Sequence, residues 1–172
     1  ALGYEEQGQY DFEAKKLDAK HFEHPDDTKP KVFISELRVD ELSQQAQDII
    51  TRLVDQMDAE LVNAETFLYS GPQWELSKED YDTLLNESEY AAWLAAWGFQ
   101  ANHFTVSVNH LKQTQSLTDV NTLLKEAGFV LNTSGGEIKG GEDVCLAQSS
   151  TMADKADVKM GDETLQIPSC FY

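Results

Sequence analysis

The alternation of apolar and polar residues changes period along the chain, and each change predicts a different element. Alternating segments predict strands at Tyr10 to Lys16 and at Asp18 to His24, followed by a third strand over Val32 to Leu37. From Asp40 onward the apolar residues recur at helical spacing, and Asp40 or Ser43 is the predicted N-cap. The N-terminal part of the chain therefore predicts three strands followed by a helix.

Two further helices are predicted from their capping signals. Ser77 is followed three residues later by Asp80, which resembles a capping box. Ser88 is predicted to cap a helix from Glu89 to Trp97, which Gly98 ends. Five aromatic side chains fall in this region and are predicted to pack into a core: Trp74, Tyr81, Tyr90, Trp93 and Trp97.

The C-terminal part predicts the order strand, helix, strand, strand, strand. His103 to Asn109 is the first strand, and Thr118 is predicted to cap a helix from Asp119 to Ala127 with Leu123 and Leu124 facing the core. The three later strands are predicted at Phe129 to Asn132, Val144 to Ser150 and Thr164 to Tyr172, the last following a turn at Gly161-Asp162. This order is a βαβββ unit.

Composition narrows the classes of function. The 172 residues carry a formal net charge of −18, and no basic patch opposes it. Because nucleic-acid affinity depends largely on Lys and Arg neutralising phosphates, nucleic acid and anionic membranes are not expected partners. No apolar run approaches the roughly 20 residues that cross a bilayer. Cys145 and Cys170 match no zinc motif, so both are interpreted as buried thiols of a cytoplasmic protein.

His103 heads the strand with the clearest chemical signal. Phe104, Val106 and Val108 point to one face and are expected to pack against the helix, while His103, Thr105, Ser107 and Asn109 point to the other. An antiparallel sheet can simply expose such a polar face to water. A curled sheet that encloses a cavity would make the same face the wall of a site, so alternation alone leaves both interpretations open.

Other candidates carry weaker signals. Gln148 and Ser150 line a pocket if their strand borders one, or lie in a solvated turn if it does not. Lys139, in a glycine-rich loop, could attract a substrate carboxylate or could be an ordinary solvated lysine. His21 and His24 are expected on opposite sides of a strand, which disfavours joint metal binding, and His110 is expected to face water.

Four segments together resemble one family. They are Val32 to Leu37, Glu87 to Trp93, Ala101 to Thr105 and Gln148 to Thr151. In this order they resemble the 2-oxoadipate dioxygenase/decarboxylase family, which is grouped with glyoxalase-like, vicinal-oxygen-chelate proteins. The resemblance implies an α+β fold of paired βαβββ modules with curled mixed sheets. It implies a remnant of the first module at 1–38, a helical insertion at 39–99, a second module at 100–172, and one compact unit.

The resemblance also implies a chemistry. Family members hold Fe(II) with two histidines and one glutamate, and convert 2-oxoadipate and O₂ to 2-hydroxyglutarate and CO₂ in lysine catabolism. This facial arrangement leaves positions open for a 2-oxo acid and for O₂. His103 matches the second histidine, and Thr105, Lys139, Gln148 and Ser150 become candidate pocket residues. The first histidine is expected upstream of Ala1 and the glutamate just after Tyr172, so the fragment alone is expected to be inactive.

Three hypotheses follow from these observations. The first is the Fe(II)-dependent dioxygenase/decarboxylase, acting on a small 2-oxo acid with no nucleic acid or membrane partner. The second keeps the fold with another divalent metal and a glyoxalase-like isomerase or hydrolase reaction, because a fold does not fix its chemistry. The third is an inactive truncated module that binds a ligand or another protein. The metal, the 2-oxo acid and the formation of a homo-oligomer stay open.

Overall fold

A computed structural model describes residues 2–63, 66–141 and 146–170. The chain divides into two compact units. Of the described residues, the first contains 2–63, 66–101 and 157–166, and the second contains 102–141, 146–156 and 167–170. The predicted organisation into a remnant, an insertion and a second module in one compact unit stays a prediction.

The first unit begins with an antiparallel sheet of three strands in the order β1-β2-β3. These are β1 (Glu5–Phe12), β2 (Leu17–Glu23) and β3 (Val32–Leu37), so the third strand has its predicted bounds. The first strand was expected to continue to Lys16 and does not, because Glu13–Lys15 form a 3₁₀ turn and Lys16 adopts a left-handed φ of 54°. The turn reverses the chain so that β2 can pair with β1.

Three helices of the first unit begin at serine caps. They are α1 (Gln44–Val54), α2 (Lys78–Glu87) and α3 (Glu89–Trp97). The side chains of Ser43, Ser77 and Ser88 accept from the backbone N–H three residues later, which satisfies a donor that a helix start leaves unpaired. Of the two caps considered for α1, Ser43 is therefore the one used. The bounds predicted for α3 are confirmed.

The core of the first unit lies where these helices pack. Leu84 is fully buried, Tyr81 and Trp93 are nearly so, and Trp74 donates its indole N–H to the carbonyl of Ala95 at 2.7 Å. Tyr90 donates to the carbonyl of Ser35 on β3 at 2.9 Å, and burial raises the pKa of its phenol. The predicted aromatic core is thus confirmed for Tyr81 and Trp93, while Trp74, Tyr90 and Trp97 are half-buried.

Gly98 ends α3 where the chain passes close to another segment. Its φ is 76°, and a Cβ placed there would lie 2.8 Å from the carbonyl oxygen of Gly71. Only glycine fits both the backbone conformation and this approach.

The second unit contains α4 (Leu117–Glu126). Its cap is Ser116, which accepts from the N–H of Asp119 at 3.2 Å, so the predicted cap at Thr118 is wrong. Thr118 already lies inside the helix. Leu123 is also misassigned, because it is 57% exposed rather than buried.

Several strands predicted for the second unit differ in the structure. Residues 101–107 are extended but form no strand within the described part of the chain, and residues 108–110 form a 3₁₀ turn. Phe104 is 92% exposed and Val106 63%, so the expected packing of this apolar face is wrong. Of the strand predicted at 129–132, only the bridge between Leu131 and Thr151 is present. A strand requires a neighbour for its backbone groups, and alternation does not supply one.

The remaining strands pair as two small sheets. The first is antiparallel and joins β4 (Lys139–Gly141) to β5 (Leu146–Gln148). The second joins β6 (Lys155–Met160) to β7 (Glu163–Pro168) across the predicted turn at Gly161-Asp162. β6 was not predicted, although its polar and apolar residues alternate. The predicted segments 144–145 and 171–172 lie outside the described residues.

The described residues form four α-helices and antiparallel sheets, which make the chain an α+β protein, as predicted. None of the helices in the described ranges is long and apolar enough to span a bilayer.

Candidate metal ligand and ligand-binding hairpin

His103 lies on the extended segment between α3 and α4, with its side chain exposed. Its Nδ1 lies 3.2 Å from Sγ of Cys170, which follows β7, and its Nε2 lies 2.8 Å from Nδ2 of Asn102. The contact with Cys170 therefore brings residue 103 beside the end of the last strand. Cys170 is half-buried, and burial raises the pKa of its thiol. Cys145, the other predicted buried thiol, lies outside the described residues.

These contacts assign the proton on the imidazole. The amide nitrogen of Asn102 can only donate, so Nε2 of His103 accepts. In the neutral ring Nδ1 then carries the hydrogen and donates to the sulfur of Cys170. A metal-bound histidine has the same arrangement, with one nitrogen donating to a neighbour and the other presenting its lone pair. Nε2 is thus the nitrogen of His103 suited to bind a metal in place of the amide.

The described residues do not by themselves fit a three-ligand Fe(II) centre. Within them, no group of three or more His, Cys, Asp or Glu side chains could hold a metal ion. The other imidazoles contact different partners: His21 contacts Tyr10 and Glu23, each at 3.0 Å, and His110 contacts Ser107 at 2.8 Å. His24 accepts from the backbone N–H of Asp26 at 2.9 Å. Among the described residues, His103 stays a candidate ligand, and no described group of three side chains completes a metal centre around it.

The hairpin β4–β5 brings two of the predicted pocket residues together. Lys139 and Gln148 are directly paired in its antiparallel register, so their side chains share one face. Ser150 lies two residues beyond Gln148, and its carbonyl accepts from the N–H of Asn132 at 2.8 Å. Thr105 is exposed on the segment that carries His103. Lys139 and Gln148 are therefore cross-strand neighbours, and their role as pocket residues stays a prediction.

Sequence reasoning missed Asn121, which is fully buried on α4. Ser149 donates its hydroxyl to Oδ1 of Asn121 at 2.5 Å, and Nδ2 of Asn121 donates to Glu137 at 3.1 Å. A signal was available, because Asn121 lies four residues after Leu117 and three before Leu124, on the apolar stripe of the helix. A polar residue on such a stripe requires buried hydrogen-bond partners.

Two open depressions of about 450 and 500 Å³ lie on the sheet of the first unit. Asp18 and Glu36 line both, and Arg38 lines one of them. Arg38 donates to Asp11 and Asp18, each at 2.6 Å, and these carboxylates raise the pKa of its guanidinium. Neither depression is lined by a predicted site residue.

Solved structures define the class of the fold. The chain is similar to a protein from Ralstonia eutropha JMP134 provisionally named a glyoxalase superfamily protein, with a TM-score of 0.72, 18% identity, and coverage of 99% of this chain and 61% of that one. At this identity the likeness establishes the fold alone. The chain has a glyoxalase-like α+β fold, which agrees with the predicted class.

The family follows from closer matches. The model of the 2-oxoadipate dioxygenase/decarboxylase family matches residues 1–171, and the chain belongs to that family. It is similar to the rice hydroxyglutarate synthase crystallised with 2-oxoadipate, with a TM-score of 0.85, 37% identity, and coverage of 98% of this chain and 59% of that one. A structure from Shewanella frigidimarina NCIMB 400, provisionally named a hydrolase, has a TM-score of 0.96 and 57% identity over 99% of this chain and 67% of that one.

The chain spans about half the length of the curated relatives that it matches. The chloroplastic 2-oxoadipate dioxygenase/decarboxylase of Arabidopsis thaliana is 37% identical over 99% of this chain and 50% of its own length.

Proposed function

We propose that the full-length protein containing this chain is an Fe(II)-dependent dioxygenase/decarboxylase that converts 2-oxoadipate, or a similar 2-oxo acid, and O₂ to 2-hydroxyglutarate and CO₂. The observation that carries the proposal is the family match over residues 1–171. The names of the plant relatives support the reaction. The ligand of the rice structure, to which this chain is 37% identical, supports the substrate.

His103 is the proposed metal ligand of this chain. Its imidazole accepts at Nε2 and is oriented through Nδ1 by Cys170 at 3.2 Å. Fe(II), when bound, would supply the redox chemistry that O₂ requires, since a protein contributes binding and orientation to such reactions. The remaining ligands are proposed to be a histidine upstream of Ala1 and a glutamate soon after Tyr172. The contact between His103 and Cys170, two residues before Tyr172, supports the proposal of a glutamate soon after Tyr172.

Lys139 and Gln148 are proposed to bind the 2-oxo acid. A dicarboxylate needs positive charge in a protein whose formal net charge is −18, and the ammonium of Lys139 supplies it locally. Gln148 is paired with Lys139 on the hairpin, so its amide can donate to the same carboxylate. Ser150 and Thr105 are proposed to complete the polar wall. A cytoplasmic location and a role in lysine catabolism belong to this proposal.

The test of the metal ligand compares two exposed histidines of one segment in the full-length protein. His103→Ala should remove bound iron and turnover of 2-oxoadipate, whereas His110→Ala, which loses a contact to Ser107, should retain both. Iron content measured by mass spectrometry separates metal loss from substrate loss. If His103→Ala keeps stoichiometric iron and turnover, the assignment of His103 as a metal ligand is wrong. The segment that carries it would then have an inactive or structural role.

A second candidate function is a glyoxalase-like, metal-dependent isomerase or hydrolase. It is favoured by the provisional name of the Shewanella structure, which is 57% identical to this chain. The two reactions differ in their need for O₂. Turnover under strict anoxia, with Zn²⁺ or Ni²⁺ in place of Fe(II), would support the second candidate and contradict the first.

A further inference from the structure

Asn121 is the centre of a buried polar network in the second unit. Its side chain has no exposed surface. Oδ1 accepts from the hydroxyl of Ser149 at 2.5 Å, and Nδ2 donates to Oε1 of Glu137 at 3.1 Å. Lys125, one turn further along α4, donates to both oxygens of Glu137 at 3.1 Å. Within the described residues, every buried side-chain nitrogen and oxygen atom has a hydrogen-bond partner.

The two partners of Asn121 flank the base of the hairpin β4–β5. Glu137 lies two residues before β4, and Ser149 directly follows β5. The cross-strand pair at this open end of the hairpin is Lys139 with Gln148. One helix side chain therefore bridges both strands at the end of the hairpin where the proposed ligand-binding residues are paired.

The contact with Asn121 also shows on which face of β5 and its continuation each side chain lies. In an extended segment, successive side chains point to opposite faces. Ser149 points toward α4, because its hydroxyl reaches Asn121. Gln148 and Ser150 then point away from α4, and Lys139 shares the face of Gln148 through the register. Two backbone hydrogen bonds of 2.8 Å fix the residues that follow Ser149. The N–H of Asn132 donates to the carbonyl of Ser150, and the N–H of Met152 donates to the carbonyl of Val130.

We propose that Asn121 is a positioning residue for substrate binding, which fixes the spacing and facing of Lys139 and Gln148 by holding Glu137 and Ser149. The inference rests on the proposed function, because it assigns Lys139 and Gln148 to the 2-oxo acid. Without the bridge, the strands can shift relative to each other, and the ammonium and the amide no longer meet one carboxylate. The loss falls on binding rather than on the chemical step, since neither side chain takes part in bond making.

The experiment measures kcat and KM for 2-oxoadipate in the full-length, iron-loaded protein. Ser149→Ala removes the hydroxyl that donates a hydrogen bond to Asn121, and Ser149→Thr keeps a hydroxyl at this position. Asn121→Asp keeps the shape of the side chain but turns a carboxylate toward Glu137. The matched control is Thr122→Ala, which removes an exposed hydroxyl of the same helix that donates only to the carbonyl of Thr118 at 2.9 Å. Thermal unfolding midpoints are recorded for every variant.

Ser149→Ala and Asn121→Asp should raise KM roughly tenfold with kcat changed by less than about threefold, the pattern of lost ground-state binding. Ser149→Thr and Thr122→Ala should keep KM within about twofold of the wild type. Variants that unfold at a lower temperature with unchanged KM would overturn the positioning role, since the network would then be only structural. Absence of turnover in the wild type would instead overturn the proposed function. Because Ser149 is only half-buried, Ser149→Ala carries the test if Asn121→Asp does not fold.

Discussion

Asp80 joins the start of α2 to α1, and replacing it with Asn tests how the helical part of the first unit is stabilised. Its carboxylate accepts from the hydroxyl of Ser77 at 2.7 Å and from the guanidinium of Arg52 at 2.8 Å. Burial acts to raise the pKa of Asp80, but the hydrogen bonds from Arg52 and Ser77 outweigh it and lower the pKa below its ordinary value. The carboxylate is therefore bound more favourably in the folded chain than in the unfolded one.

Asp80→Asn should lower the free energy of unfolding by about 1.5 kcal/mol at pH 7. Three effects contribute to this loss: the capping box is weakened, a negative charge at the helix start is lost, and the ion pair with Arg52 is lost. A lowered pKa adds stability that is present above the unfolded pKa, about 3.9, and is lost as pH falls through the folded value. The difference between wild type and variant should therefore shrink as the pH falls below about 4.

Urea unfolding of the full-length protein, followed by tryptophan fluorescence at pH 7 and at pH 3, measures this difference. Asp82→Asn is the control, because Asp82 lies on the same helix and contacts only Lys78, which is half-buried, among the ion pairs described. Its loss should cost no more than about 0.5 kcal/mol. A cost at Asp80 equal to the control, or a cost that persists unchanged at pH 3, would refute the reasoning.

Two further substitutions test the packing and hydrogen bonding of the first unit. Leu84→Ala should lower the free energy of unfolding by about 2 to 5 kcal/mol, because it opens a cavity at a fully buried position. Leu85→Ala, at a residue that is 41% exposed, should lower it by less than about 1 kcal/mol. Equal losses of the two variants in urea unfolding would contradict the core assignment. Tyr90→Phe should cost about 1 kcal/mol because the carbonyl of Ser35 loses its donor, and Tyr69→Phe, at a tyrosine that is 73% exposed, should leave the unfolding midpoint unchanged.

The helices of the first unit could be predicted because their signals are local. Ser88, Glu89 to Trp97 and Gly98 lie within eleven consecutive positions and contain the cap, the apolar core and the stop. The same holds for Ser77 and Asp80. Where two caps were available, as at Asp40 and Ser43, the sequence left the choice open. At α4 the sequence predicted Thr118, whereas the helix is capped by Ser116.

Strands in the C-terminal part of the chain could not be predicted equally well, because strand formation depends on distant partners. His103 to Asn109 alternates clearly, yet no ladder forms there within the described ranges, and Phe104 is almost fully exposed. Conversely, β6 was overlooked although Gly161 and Asp162 follow it at the spacing of a two-residue hairpin.

The candidate site residues could be proposed from the sequence, but the contacts that surround them could not. The resemblance identified His103, and the hairpin brings Lys139 and Gln148 together. The contact of His103 with Cys170 joins positions 67 residues apart, and the network of Asn121 joins positions 16 and 28 residues apart. Such contacts follow only from the folded chain.

Oxygen consumption by the full-length protein tests the central proposal most directly. With Fe(II) and 2-oxoadipate in an oxygen-electrode cell, uptake of O₂ should be accompanied by equal amounts of CO₂ and 2-hydroxyglutarate, as the balanced reaction requires. His110→Ala should behave as the wild type, and His103→Ala should consume no O₂ above the background. Iron-loaded wild-type protein that consumes no O₂ with 2-oxoadipate would contradict the proposed reaction.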